Sequence, residues 1–153
     1  MIENDRVKIR DCFRQIKDDD QNIHLKDYLI TMCPNITETK FDDEQILKKR
    51  VSIINAILNR KLFKKKITKI PKSEKIVFYN FIENSLNKNL IHTHSLMRIP
   101  KKFINMLKKI FQLLIDIVKE KFKFEITIHK RPKIAINYMT KKFSQNNDRF
   151  FVS

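Results

Sequence analysis

The sequence predicts a mainly α-helical fold, with about five helices in a bundle and a small C-terminal β-hairpin, and thus an α+β protein overall. Two patterns support this prediction. Apolar residues recur at helical spacing through most of the first 121 residues, and after that point they alternate with polar residues. We expect three segments: a helical bundle over 1–100, a long apolar helix or helical linker over 101–121, and a small β element over 122–153.

The composition indicates a folded and strongly basic protein. The chain has 153 residues, of which 42% are hydrophobic, and its formal net charge is +16. Such a charge favours an anionic partner such as DNA, although an AT-rich coding bias would also enrich lysine. The sequence contains no glycine. Phosphate-binding loops need glycine where the backbone approaches a phosphate, so the common nucleotide-binding enzymes are not expected.

The location in the cell follows from three further features. No stretch of about 18 apolar residues is present, so we expect no membrane span and no membrane partner. The N-terminal sequence MIENDRVKIR lacks the apolar region of a signal peptide. Cys12 and Cys33 do not have the spacing of a redox or zinc motif and are expected to be reduced thiols. Together these features predict an intracellular protein, nuclear if the organism is eukaryotic.

Two short helices are predicted before Pro34. The first covers about residues 3–17, where Val7, Ile9, Cys12, Phe13 and Ile16 recur at helical spacing. The second covers about 23–33, with Leu25, Tyr28, Leu29 and Met32 on one face. Pro34 cannot continue a helix and is expected to end it.

Two longer helices are predicted next. Asp42 or Asp43 can cap the third helix, because a short carboxylate accepts hydrogen bonds from the free N–H groups of a first turn. Its apolar stripe continues for about five turns to Phe63, and the fourth helix runs from about Ser73 to Leu90. Six residues of these stripes and of the fifth helix are predicted to lie in the core or in a partner interface: Ile54, Leu58, Phe78, Phe81, Phe111 and Leu114.

The fifth helix and the hairpin complete the prediction. Residues 101–121 are apolar around much of a helical circumference, which is typical of a central helix or of one that a partner covers. Apolar residues then alternate from Phe122 to Ile128 and again from Ile134 to Tyr138. The two alternating segments are separated by HKRPK, so they predict the two arms of a β-hairpin.

Candidate chemistry is sparse in this sequence. His92 and His94, in the segment HTH, have the spacing with which one strand can offer two ligands to a metal ion. No group of Cys, Asp or Glu lies nearby in the sequence, so a metal site is the less favoured interpretation. Neither a catalytic Ser/His/Asp order nor a recognisable carboxylate pair is present. We therefore expect a protein that is not an enzyme and needs no cofactor.

Basic residues form two candidate sites for nucleic acid. The first lies at the end of the third helix and the second at the tip of the predicted hairpin, where a winged-helix protein would contact the DNA backbone. The alternative for the first cluster is a favourable interaction with the negative end of the helix dipole. The candidate contact residues are Lys61, Lys64, Lys65, Lys66, Lys69, Lys130, Arg131 and Lys133.

The order of the predicted helices resembles a known family. The segment LKKRVSIINAILNRKLFKKKITKIP is followed by KSEKIVFYNFIENSLNKNLI and by SLMRIPKKF, and VKIRDCFRQIKDDDQNI precedes them. This order is similar to the helical domain of GINS-complex subunits of the Sld-five type, with the hairpin in place of the C-terminal β domain. The resemblance implies a non-catalytic scaffold subunit of a DNA-replication assembly, with other subunits and replicative-helicase components as partners.

Two alternatives remain open at this point. The basic clusters favour a stand-alone nucleic-acid-binding protein, similar to a winged-helix protein, which would use the 130–133 hairpin tip and the 61–72 lysine cluster. The third function is that of a lineage-specific effector that acts through protein contacts.

Overall fold

Five antiparallel strands form one sheet in the computed structural model of this protein, which describes residues 24–34, 44–64, 69–71, 74–84, 91–129 and 150–153. The strands are β1 (His24–Pro34), β2 (Val77–Asn84), β3 (Ile91–Pro100), β4 (Phe124–His129) and β5 (Phe150–Val152). The α-helices are α1 (Glu44–Phe63) and α2 (Leu107–Asp116), with a 3₁₀ helix (Lys101–Met106) before α2 and a π-helix (Ile117–Lys121) after it. The order of strands across the sheet is β4, β1, β3, β2, β5.

The connections follow a known topology. β1 and β2 run in the same direction with β3 between them, and α1 lies between them in the chain. β3 and β4 are related in the same way, with β1 between them and α2 in the connection. Two interleaved split βαβ units of this kind make a ferredoxin-like fold. β5 adds a fifth strand outside β2.

The prediction of a mainly α-helical bundle with about five helices is wrong. The described residues contain two α-helices and a five-stranded sheet, and the helices predicted over about 23–33 and 73–90 are replaced by β1 and β2. Both strands carry buried apolar residues on each face, as the exposed fractions of Leu29 (8%) and Ile30 (0%) show for β1 and those of Phe81 (1%) and Ile82 (0%) show for β2. Apolar residues on both faces of a strand fit helical spacing as well as they fit a strand.

Other parts of the prediction are confirmed or concern residues outside the described ranges. The long helix after Asp43 is present as α1, and the segment 101–121 is helical throughout. β4 is a strand where the first hairpin arm was predicted, but its described partner is β1. The second arm, over 134–138, and the first helix, over 3–17, lie outside the described residues. The division of the chain into three segments stays a prediction.

The main core lies between the two helices and one face of the sheet. Ile54, Leu58, Phe78 and Leu114 are buried in this core of a single chain, and Phe111 is half-buried against it. Phe81 is also buried, but it lies outside this cluster. Among the described residues, no helix has the length and the hydrophobicity needed to span a membrane.

Two buried asparagines on α1 fix the start of β2. The side-chain oxygen of Asn59 accepts a hydrogen bond from the backbone N–H of Ile76 at 2.9 Å, and its Nδ2 donates to the Ile76 carbonyl at 3.0 Å. The Nδ2 of Asn55 donates to the same carbonyl at 3.1 Å. Asn59 therefore pairs with Ile76 much as a neighbouring strand would, and the last turns of α1 lie beside the beginning of β2.

Candidate metal centre

The candidate site lies on the face of the sheet opposite α1 and α2, which we call the distal face. Successive residues of a strand point to opposite faces, and the buried Ile30, Ile82 and Met97 point toward the helices. Their neighbours in the register therefore point to the distal face. These neighbours include Thr31 and Cys33 of β1, Phe81 and Glu83 of β2, His92 and His94 of β3, and Glu125, Thr127 and His129 of β4.

Three potential metal ligands converge on this face. β3 is the middle strand of the sheet, and its His92 is paired directly with Glu83 of β2. The Nε2 atom of His94 lies 2.9 Å from Oε2 of Glu83, and the Nε2 atom of His92 lies 3.6 Å from the same oxygen. The two Nε2 atoms are 3.0 Å apart. Glu83, His92 and His94 form the metal triad.

The spacing of the triad fits a divalent ion. Nitrogen and oxygen ligands lie at about 2.1 Å from zinc and similar ions, which places neighbouring ligand atoms about 3.0 Å apart in octahedral geometry and about 3.4 Å apart in tetrahedral geometry. The observed separations of 2.9, 3.0 and 3.6 Å cover this range. The ligand atoms of two imidazoles and one carboxylate thus lie close enough together to share one ion.

Neighbouring side chains contact the triad, and its own side chains remain partly exposed to solvent. The side chains of Glu83, His92 and His94 are 15–17% exposed, so an ion and its solvent ligands can enter. The two imidazole rings meet edge to face, with their centroids 4.7 Å apart. Phe81, paired with His94 across the strands, is buried. On the other side, Oγ1 of Thr31 lies 3.0 Å from Nδ1 of His94.

The sequence pattern pointed to two of the three candidate ligands. The HTH spacing offered two potential ligands on one strand, although a metal site was the less favoured interpretation, and the structure places both histidines on the same face of β3. Glu83 was missed because residues 73–90 were interpreted as a helix, whereas β2 and β3 form an antiparallel pair that brings Glu83 opposite His92.

The predicted nucleic-acid contacts lie away from the triad or outside the described residues. Lys61 and Lys64 are exposed at the C-terminal end of α1, which lies beside the start of β2, and Lys69 is exposed further along the chain, whereas Glu83 is near the end of β2. Lys64 has a φ angle of 55°, and its N–H bonds to the Arg60 carbonyl at 2.8 Å, so it closes the helix. The remaining candidates, Lys65, Lys66, Lys130, Arg131 and Lys133, lie outside the described residues.

One cysteine on the distal face has an altered acidity. Cys33 of β1 is half-buried and pairs with Glu125 of β4. Burial, followed by the negative charge of Glu125, raises the pKa of its thiol above the usual 9.0. A raised pKa disfavours the thiolate, which is the form that binds metals and attacks electrophiles.

Comparison with known proteins adds no further assignment. Neither a protein-family model nor a curated protein nor a solved structure matches this chain. The fold, the geometry of the metal triad and the charge of the chain are therefore the features that bear on function.

Proposed function

We propose that this protein is a metal-dependent enzyme that cleaves or transfers phosphodiester bonds in nucleic acid, with Glu83, His92 and His94 as ligands of one divalent ion. The observation that supports this proposal best is the convergence of the three ligand atoms at separations of 2.9–3.6 Å. Sites with four protein ligands are usually structural, whereas sites with three keep positions for water and substrate. Within the described residues, the ligand group contains three members.

The charge of the chain supports a polyanionic substrate. The net charge of +16 lowers the energy of a nucleic acid near the protein, and the exposed lysines at the end of α1 offer phosphate contacts. Phosphate oxygens are also suitable ligands for the remaining positions of a divalent ion. Imidazole ligands suit ions such as Zn²⁺, and the carboxylate and water ligands also suit Mn²⁺ and Mg²⁺.

The proposed reaction exchanges one P–O bond for another. The oxygen of a hydroxyl group, from water or from a side chain, forms a bond to phosphorus while the bond from phosphorus to a bridging oxygen breaks. The attacking hydroxyl loses a proton, and the departing oxygen gains one. The metal triad would hold a divalent ion on the distal face, and that ion would supply charge stabilisation for the non-bridging oxygens.

The test combines metal binding with cleavage. The purified full-length chain is incubated with end-labelled single-stranded DNA, double-stranded DNA and RNA, with Mn²⁺, with Mg²⁺ or with EDTA. We expect cleavage that requires the ion and falls at least about 100-fold in Glu83→Gln, His92→Gln and His94→Gln, in line with the loss of a metal's contribution to the barrier. Isothermal titration with Mn²⁺ should show weaker binding in the same variants.

Matched controls come from the same face of the sheet. Glu125 and His129 of β4 are exposed on the distal face and are not members of the triad, so Glu125→Gln and His129→Gln should keep both ion binding and cleavage. Equal activity in the triad variants and these controls would reveal a contaminating nuclease and contradict the proposal. A wild-type chain that binds none of these ions would contradict it as well.

The products identify the attacking group. Labelled nucleic acid that migrates with the denatured protein indicates a side-chain hydroxyl, and free ends alone indicate water. For a covalent product, tyrosine is one candidate type. Tyr28 is buried in the core, so Tyr79→Phe and Tyr138→Phe are the tyrosine variants to compare, although Tyr138 lies outside the described residues.

The three functions inferred from the sequence, including that of an effector acting through protein contacts, stay separate proposals. A scaffold role in a GINS-like replication assembly predicts co-purification with helicase components, and a stand-alone nucleic-acid-binding role predicts binding without cleavage. The helix order on which the resemblance rests includes Val77–Asn84, which form β2. None of these roles accounts for the convergence of the metal triad, and for this reason we favour the metal-dependent enzyme.

A further inference from the structure

A threonine on the neighbouring strand contacts His94 from the side opposite the metal triad. Thr31 of β1 is paired directly with His94 of β3, and its Oγ1 lies 3.0 Å from Nδ1 of the imidazole. The other nitrogen of the ring, Nε2, lies 2.9 Å from Glu83. The two nitrogens of His94 therefore have separate partners, one in the triad and one on β1.

We propose that Thr31 is a positioning residue that holds His94 in the tautomer whose Nε2 lone pair faces the bound ion. This inference rests on the proposed metal function of the triad. A neutral imidazole carries one proton, so a ring that binds an ion through Nε2 carries its proton on Nδ1. That N–H needs an acceptor, and the hydroxyl oxygen of Thr31 lies at hydrogen-bond distance from it.

A hydroxyl group suits this position because it can both accept and donate. With an ion on Nε2, the Thr31 oxygen accepts a hydrogen bond from Nδ1–H. Without an ion, Nε2–H can donate to Glu83 while the Thr31 hydroxyl donates to Nδ1. The same pair thus satisfies both nitrogens with and without the ion, and only the direction of the hydrogen bond changes.

The sheet places this hydroxyl. β1 lies between β3 and β4, and Thr31 is paired with His94 on one side and with Thr127 on the other. Its backbone is thereby held from both sides. Thr127 is exposed on the same face of the sheet and is not part of the triad, so it provides a matched control for the loss of a threonine hydroxyl.

The test compares Thr31→Val, Thr31→Ser and Thr127→Val in the full-length chain. Valine keeps the shape of threonine but has no hydroxyl, whereas serine keeps the hydroxyl. We expect Thr31→Val to bind Zn²⁺ about 10–100-fold more weakly than the wild type, the range typical for loss of a partner of a metal-bound histidine. Thr31→Ser and Thr127→Val should bind Zn²⁺ as the wild type does.

A spectroscopic measurement separates positioning from a merely structural role. Nitrogen-15 NMR of the Zn²⁺-loaded wild type should show His94 with the proton on Nδ1 and the ion on Nε2, and Thr31→Val should lose the protection of that proton from exchange. This measurement on the wild type can still overturn the proposal if Thr31→Val fails to fold. A proton on Nε2, or equal Zn²⁺ affinity in Thr31→Val and wild type, would overturn the role of Thr31 and leave the metal function intact. A wild-type chain without Zn²⁺ affinity would overturn both.

Discussion

The hydrogen bonds of Asn59 allow a stability prediction with a stated magnitude. Asn59→Ala removes the acceptor of the Ile76 N–H, at 2.9 Å, and the donor to Oδ1 of Asn55, at 3.0 Å. The Ile76 carbonyl keeps its bond from Asn55. Two buried polar groups thus lose their partners, at about 1–3 kcal/mol each, so we expect the free energy of unfolding to fall by about 2–6 kcal/mol. Urea denaturation followed by far-ultraviolet circular dichroism measures this loss.

Asn55→Ala is the matched control, because Asn55 is on the same helix face and is equally buried. Its removal leaves the Ile76 carbonyl bonded to Asn59 and the Ile76 N–H unchanged. We therefore expect a loss of only about 1 kcal/mol, the value of one ordinary hydrogen bond. Equal losses in the two single variants would refute this explanation of how α1 holds β2.

Three further predictions concern the thiol, the C-terminal strand and the lysines. In a Cys12→Ser background, Cys33 should react with iodoacetamide more slowly than a free thiol does, and Glu125→Gln should make it react faster. Because the pKa of Cys33 is raised in the fold, the free energy of unfolding should decline as the pH rises through 9.0. An increase in the free energy of unfolding over this pH range would contradict a raised pKa. Deleting residues 150–153 removes the bonds between Phe78 and Ser153, at 2.7 and 2.9 Å, and should lower the unfolding free energy measured in urea by about 2–4 kcal/mol. Two sets of Gln substitutions test the lysines, one at Lys61, Lys64 and Lys69 and the other at Lys130, Arg131 and Lys133. The slope of log affinity for DNA against log salt concentration should become shallower by about 0.9 for each phosphate that the protein no longer neutralises. An unchanged slope would exclude that cluster from DNA contact.

The sequence predicted the helices better than the strands, and burial explains the difference. α1 has a polar face, with Lys49, Ser52 and Arg60 exposed, so its helical period is visible. β2 has Phe78, Phe81 and Ile82 buried on both of its faces. A strand covered on both faces loses the alternation of polar and apolar residues that would distinguish it from a buried helix.

The metal triad shows a second limit of sequence reasoning. His92 and His94 are neighbours on one strand, so their spacing alone indicates that they share a face. Glu83 reaches them only through the register of β2 and β3, in which it pairs with His92. Short two-residue turns have sequence signatures that fix the register, whereas a longer connection such as 85–90 does not. A carboxylate nine residues upstream was therefore not recognisable as a ligand until the fold was known.

The position of the lysines relative to the metal triad constrains the size of a substrate that uses both. The bonds of Asn59 to Ile76 place the last turns of α1 beside the start of β2, and Glu83 is six residues further along that strand. A strand rises about 3.3 Å per residue, so the start of β2, beside which α1 ends, lies about 20 Å from Glu83. Phosphates repeat about every 3.4 Å along a nucleic-acid strand, so a substrate must extend over about six nucleotides to contact both. A mononucleotide can reach only one of the two sites, and lysine substitutions should therefore weaken the cleavage of long oligonucleotides while leaving that of dinucleotides unchanged.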